Sequence, residues 1–280
     1  MSIQIEAITK TKEKASEIVA KILTDPFGKS EEEIKDEILS EIKNHDELFP
    51  FGWYDPPPGG VAILFDKKPF TRLQFQNLRD QAYWPKNDLI FDKESVAIIY
   101  FSPVDKETKM LGDVGFTAYI GGDPKIKKHL RKCYELLYSV AEYAKVGMKF
   151  KDLAVYGKEL FKNNGKTQKW ITVLNDPERV RGINLGHTIP GSFEYDASIG
   201  NSFEEIRENI RIERVFVDES ENFTIPKTCA FTIEARLTDI KNEHLPNSLF
   251  HFIVTFDSGE KRILENYDNI FKELGMEYML

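Results

Sequence analysis

The chain has 280 residues, a net charge of −8, and is 41% apolar and 30% charged. This is the profile of a globular protein with room for a substantial core, and its overall charge argues against nucleic acid or acidic membranes as partners. No run approaches the ~20 apolar residues of a membrane span, and the N-terminus carries charges where a signal peptide needs an apolar stretch. Cys133 and Cys229 stand alone, which suggests neither a disulfide framework nor a thiolate zinc site. A cytoplasmic location is the default expectation.

Residues 11–24 set Ala15, Ile18, Val19 and Ile22 on one helical face. Ser30 precedes EEEIKDEILSEIKNH, whose early acids and Ile34, Ile38 and Ile42 spaced at i+4 predict a capped amphipathic helix. The proline-rich, aromatic stretch 48–60 is excluded from a helix or central strand, and because VAILF follows at once it reads as a loop within one domain. Residues 95–101 have the continuous apolar, β-branched pattern of a buried strand. A polar hairpin then leads to a second strand, LGDVGFTAYIGG.

Pro124 opens a long helix over 124–146, which Gly147 ends, and a further helix covers 149–164. Short strands are expected around 183–188, 211–217, 229–238 and 249–256. The order helix–helix–strands–helix–helix–strands is an α+β arrangement, expected to form one domain over residues 1–280. The polar segment 195–222 reads either as a solvated excursion or as a cover over a pocket.

No phosphate-binding glycine loop, dinucleotide fingerprint or serine elbow is present, and basic residues are not clustered with aromatics. What remains is a dispersed set of ligand or acid–base groups. Asp113 lies between glycines in an apolar strand, where it is either a turn aspartate or a carboxylate that needs a partner. His187, in NLGHTIPG, is either a hydrogen-bonded structural histidine or a ligand. Glu234 follows the apolar run CAFTI and faces either solvent or a pocket, and His251 sits among LF and FIV.

In order, these segments resemble the pita-bread family of methionine aminopeptidases, Xaa-Pro aminopeptidases, prolidases and creatinase. The resemblance rests on Gly112-Asp113-Val114-Gly115-Phe116-Thr117, Val146-Gly147-Met148, Gly186-His187-Thr188-Ile189 and Phe231-Thr232-Ile233-Glu234. It implies an antiparallel sheet with two helix pairs packed on it, laid out more like a single-domain aminopeptidase than like creatinase or prolidase. Matched residue by residue, it implies Asp113, His187 and Glu234 as metal ligands, with His251 near the place of the family's last glutamate ligand. Tyr100 stands where an aspartate is expected, and Glu194 lies near the place of the family's second pocket histidine.

With two carboxylate ligands lost, the resemblance implies one divalent ion, iron, manganese or zinc, in place of two. The implied activity is hydrolysis of a small peptide or amide, with Glu234 or Glu194 moving protons and the loop 49–58 walling the pocket. A catalytically silent binding module, which Tyr100 favours, and non-haem iron chemistry, which His251 favours, are the alternatives. Many members of the family dimerise, so a homodimer is also implied.

Overall fold

The computed structural model describes residues 2–169, 183–193 and 199–280. Helix α1 (Ile3–Ile22) is capped by Ser2, and α2 (Glu31–Ile42) by a capping box in which Ser30 and Glu33 bond each other's backbone. Helix α1 begins well before the expected residue 11, and its added turns bury Ile5 and Ile8. The second helix pair is α3 (Pro124–Tyr143), capped by Asp123 with proline in its first turn, and α4 (Phe150–Asn163).

Strands β1 (Val61–Asp66), β2 (Val96–Phe101) and β3 (Val114–Tyr119) form one antiparallel sheet, with Tyr100 opposite Gly115. Every residue of β2 and β3 is buried, which explains the unbroken apolar run of β2. Beyond α4 lie β4 (Lys166–Gln168), α5 (Phe203–Ile212), β5 (Cys229–Ile233) and β6 (Leu237–Asp239). The chain ends with β7 (Phe252–Asp257), β8 (Glu260–Leu264) and α6 (Asp268–Glu273). Strand β7 lies between β5 and β8, and β4 pairs with β6. A bridge between Phe116 and Phe250 ties the first sheet to the approach of β7. Helix α2 packs on β1, while α3 packs on β3, β5 and β7.

The architecture is α+β, as expected. The strand expected over 211–217 is different: its first residues end α5, and only Phe216 makes a bridge, to His187. Helix α5 explains the segment's polarity. It is short and amphipathic, with a Ser202–Glu205 capping box, and it buries Phe203, Ile206 and Ile210 while its charges stay in water. Among the described residues no helix is long and apolar enough to cross a membrane.

Candidate active site

Five side chains meet where the two larger sheets approach each other. Strand register accounts for the pairing. Ile233 is opposite Phe252, so Glu234 and His251 lie opposite each other one step further on. Side chains of opposed residues share a face, and Glu234 Oε2 is 2.7 Å from His251 Nε2. In the first sheet Tyr100 is opposite Gly115, two residues from Asp113 and therefore on the same face. Gly115 makes room, since a Cβ there would sit 3.1 Å from the Tyr100 ring and 3.4 Å from His251 Cβ. The Tyr100 hydroxyl donates to Asp113 Oδ1 at 3.1 Å, and Asp113 Oδ2 lies 3.6 Å from His251 Nε2.

His187 arrives from the other side. Its amide donates to Thr232 Oγ1, and the Thr232 hydroxyl donates to Glu234 Oε1 at 3.1 Å. Gly186 is required here because a Cβ would fall 2.1 Å from the Thr232 carbonyl oxygen. His187 Nδ1 lies 2.9 Å from the Thr188 carbonyl, which makes Nδ1 the protonated nitrogen. Nε2 then turns its lone pair toward Glu234 Oε1, 3.3 Å away.

Burial dominates the electrostatics. It lowers the His187 pKa to about 4, helped by Arg214 and opposed by Glu234 and Asp113, so the imidazole is neutral near pH 7. For Glu234 burial pushes the pKa up, but His251, His187 and Arg214 outweigh it and hold the carboxylate well below its usual range. Burial, with Asp113 and Glu234 nearby, raises the Tyr100 pKa well above normal, so the phenol stays a donor.

Behind the site, the buried Lys12 ammonium donates to the carbonyls of Asp113 at 2.7 Å and His251 at 3.2 Å. Burial lowers its pKa to about 7 against the opposing pull of Asp113 and Glu265.

In front of the site is a small cleft of about 90 Å³, walled by Trp53, Tyr54 and Phe75 and lined also by His187, Arg214 and Glu234. The loop 49–58 thus supplies pocket wall, as expected. Helix α5 lies against that loop through Phe203 with Phe49 and Phe51, and Arg207 with Asp55. Glu194 lies outside the described residues.

Asp113, His187, Glu234 and His251 are therefore gathered as expected. Among the described residues no group of three or more His, Cys, Asp or Glu side chains is arranged to hold an ion. Both Glu234 oxygens already face imidazole nitrogens, and the Arg214 guanidinium and Lys12 ammonium add positive charge where a dication would need negative charge. Asp113 Oδ2 and both ring nitrogens of His251 lack a hydrogen-bond partner, and Asp113 Oδ2 lies 3.6 Å from His251 Nε2.

Sequence reasoning missed Arg214, Arg236 and Lys12. Two signals were present: Lys12 interrupts the apolar face four residues after Ile8, and Arg236 follows Glu234 at strand spacing.

No family model matches the sequence, and no curated protein does. Solved structures do match. Methionine aminopeptidase from Rickettsia prowazekii aligns with TM-score 0.66 and 12% identity, over 94% of this chain and 97% of that one. Methionine aminopeptidase from Thermotoga maritima aligns at 0.64 and 14%, over 94% and 96%. X-Pro aminopeptidase from Thermotoga maritima aligns at 0.60 and 14%, over 93% of this chain but only 60% of that one. The prolidase from Pyrococcus horikoshii is likewise covered over 62% of its length. Taken with the strand and helix order, these likenesses show that the chain has the pita-bread fold.

Proposed function

We propose that the chain is a hydrolase of the aminopeptidase–prolidase type that acts on a small peptide or amide by proton transfer through Glu234 and His187. One observation carries this reading: an ionised carboxylate faces a neutral imidazole of fixed tautomer, 3.3 Å apart, at the base of an aromatic cleft. A base must be deprotonated at the working pH and within reach of the proton it takes. His187 Nε2 and Glu234 are both unprotonated near pH 7 and both line the cleft. Water would give its proton to this pair as its oxygen attacks the carbonyl carbon. The same proton would pass to the leaving nitrogen as the C–N bond breaks. Tyr100, Asp113 and His251 position Glu234 from the opposite side. This scheme uses only the chain's own side chains and does not call on the single divalent ion that the family resemblance implies.

The test is turnover of Xaa-Pro dipeptides and small amides in the presence of a chelator, compared with Glu234→Gln. Turnover that resists chelation and is lost in the variant supports the reading, and turnover that needs added metal overturns it. A binding module without turnover is the second reading, favoured by Tyr100, whose hydroxyl occupies Asp113 Oδ1. The absence of turnover on every dipeptide and amide would favour it.

A further inference from the structure

At the far end of the β4–β6 ribbon lies a buried charged cluster that the proposed proton transfer does not use. His129, on α3 and 3% exposed, is fixed between two partners. Its Nε2 lies 2.9 Å from the Pro246 carbonyl and its Nδ1 2.8 Å from the Lys166 ammonium on β4. A carbonyl only accepts and an ammonium only donates, so Nε2 carries the ring's proton and Nδ1 offers its lone pair. Lys166 also pairs at 2.7 Å with Asp239, its cross-strand neighbour on β6. Lys166 and Asp239 are the charges that act on His129 among the described residues, and Cys133 is the titratable group beside it on α3, 3.8 Å away. Glu243 and His244, which lead into Pro246, are exposed.

The ribbon ties this cluster to the cleft. Two paired strands of three residues are not stable on their own, so β4 and β6 depend on what holds each end. At the histidine's end the Ile240 amide donates to the Gly165 carbonyl at 3.0 Å. At the other end the Lys169 amide donates to the Arg236 carbonyl at 2.8 Å, Arg236 stacks on Phe75 at 4.1 Å, and the Gln168 side chain donates to the Asn184 carbonyl. Lys169, Asn184, Arg236 and Phe75 all line the cleft. About 10 Å of strand, a few residues at roughly 3.3 Å each, separates the two ends.

We infer that His129, Lys166 and Asp239 form an acid-released latch on one wall of the cleft. A second proton on the imidazole would sit on Nδ1, pointing at the ammonium, so His129 and Lys166 cannot both stay charged in place. Lys166 and Asp239 border an open hollow of about 610 Å³, which gives the ammonium somewhere to turn. Its departure breaks the side-chain tie between α3 and β4, and the ribbon loosens from the latch toward the cleft. Burial first, and Lys166 second, lower the His129 pKa to about 4, so the closed latch excludes the second proton and acid favours the open form. The latch does not depend on what the cleft binds or on whether it hydrolyses anything.

Amide hydrogen exchange of the full chain, followed residue by residue by NMR at pH 7 and pH 5 and corrected for intrinsic rates, tests the latch. With the imidazole titrating near 6.5 in the open form and at about 4 in the closed one, the opening constant at the Ile240 and Lys169 amides should rise about twentyfold between the two pH values. Both amides should stay far less protected than those of β2 and insensitive to dilute urea, the mark of a local opening. His129→Gln cannot take up the proton and should lose most of that rise. Lys166→Met removes the ammonium from Nδ1 and should lessen it, even if His129→Gln fails to fold. No rise, a rise at Ile240 without one at Lys169, protection equal to that of β2 at both pH values, or an undiminished rise in either folded variant would overturn the inference.

Discussion

Glu234 and His251 stand opposite each other one step beyond the Ile233–Phe252 pair, with Oε2 and Nε2 2.7 Å apart. The other Glu234 oxygen faces His187 Nε2 at 3.3 Å, so one carboxylate joins histidines that lie far apart in the chain. A strand register and a neighbouring loop produce this contact, and no local motif encodes it.

Replacing Glu234 with glutamine keeps the shape and removes the charge. Turnover of any substrate is expected to fall by about a hundredfold or more, in line with the loss of a general base. The His187 pKa should fall below its value of about 4, since Glu234 is among the groups that raise it. An NMR titration of the imidazole measures this, and an unchanged or raised pKa would count against direct coupling of the pair.

A second expectation concerns metal. With the cationic Arg214 and Lys12 beside the four expected ligands, dialysis against a chelator should leave the melting temperature unchanged. Adding zinc, manganese or iron(II) should raise it by less than a degree or so, because a ligand that binds only the folded state stabilises it by mass action. Elemental analysis of the purified protein is the companion measurement. A stoichiometric ion, or a rise of several degrees on adding one, would show that these side chains rearrange into a centre.

Much of this fold was legible because the signals are local or periodic. Ser30 with Glu33, Pro124 after Asp123, and the unbroken run Val96–Phe101 announce their elements directly. Asp113, His187, Glu234 and His251 were legible as a group only through the order of short segments, since each has an ordinary structural reading alone. What was not legible depends on contacts between distant segments. Lys12 reaches across to the carbonyls of Asp113 and His251 from a helix whose start was misplaced. Arg214 sits in a segment that looked like a strand but closes α5, and its lining role comes from Trp53 in a distant loop. Tyr100 was noticed as a departure from the family pattern, but its bond to Asp113 is a property of the β2–β3 register.

Gly112 tests the seat of α1. A Cβ at this position would lie 2.3 Å from the backbone nitrogen of Lys12 and 2.4 Å from the carbonyl carbon of Thr11. Neither atom can move without shifting the helix, and overpacking of this kind typically costs about 1–3 kcal/mol or more. Gly112→Ala should therefore lower the chemical-denaturation midpoint and, by displacing Lys12 from Asp113, weaken any activity as well. Gly147→Ala is the control: its φ of 83° also favours glycine, but nothing lies near its Cβ position, so it should cost stability without affecting activity.

His129 sets an acid limit on stability away from the site. Its Nε2 donates to the Pro246 carbonyl at 2.9 Å, and its Nδ1 accepts from the Lys166 ammonium at 2.8 Å. A second proton would have to sit on Nδ1, facing that ammonium. Burial first, and Lys166 second, lower the pKa from 6.5 to about 4. In the unfolded chain the imidazole takes its proton near the ordinary value, so between these limits the unfolded state binds more protons. Stability is therefore full above about pH 6.5 and declines as pH falls toward 4, by roughly 1.4 kcal/mol per unit and about 3 kcal/mol in all from this residue. Urea unfolding at pH 7 and pH 5 measures the slope. His129→Gln, which retains a donor for Pro246 and cannot take up a proton, should lessen the slope by roughly 1.4 kcal/mol per unit, leaving the decline that His187, also lowered to about 4, contributes; an equally steep decline in that variant would place the acid sensitivity elsewhere.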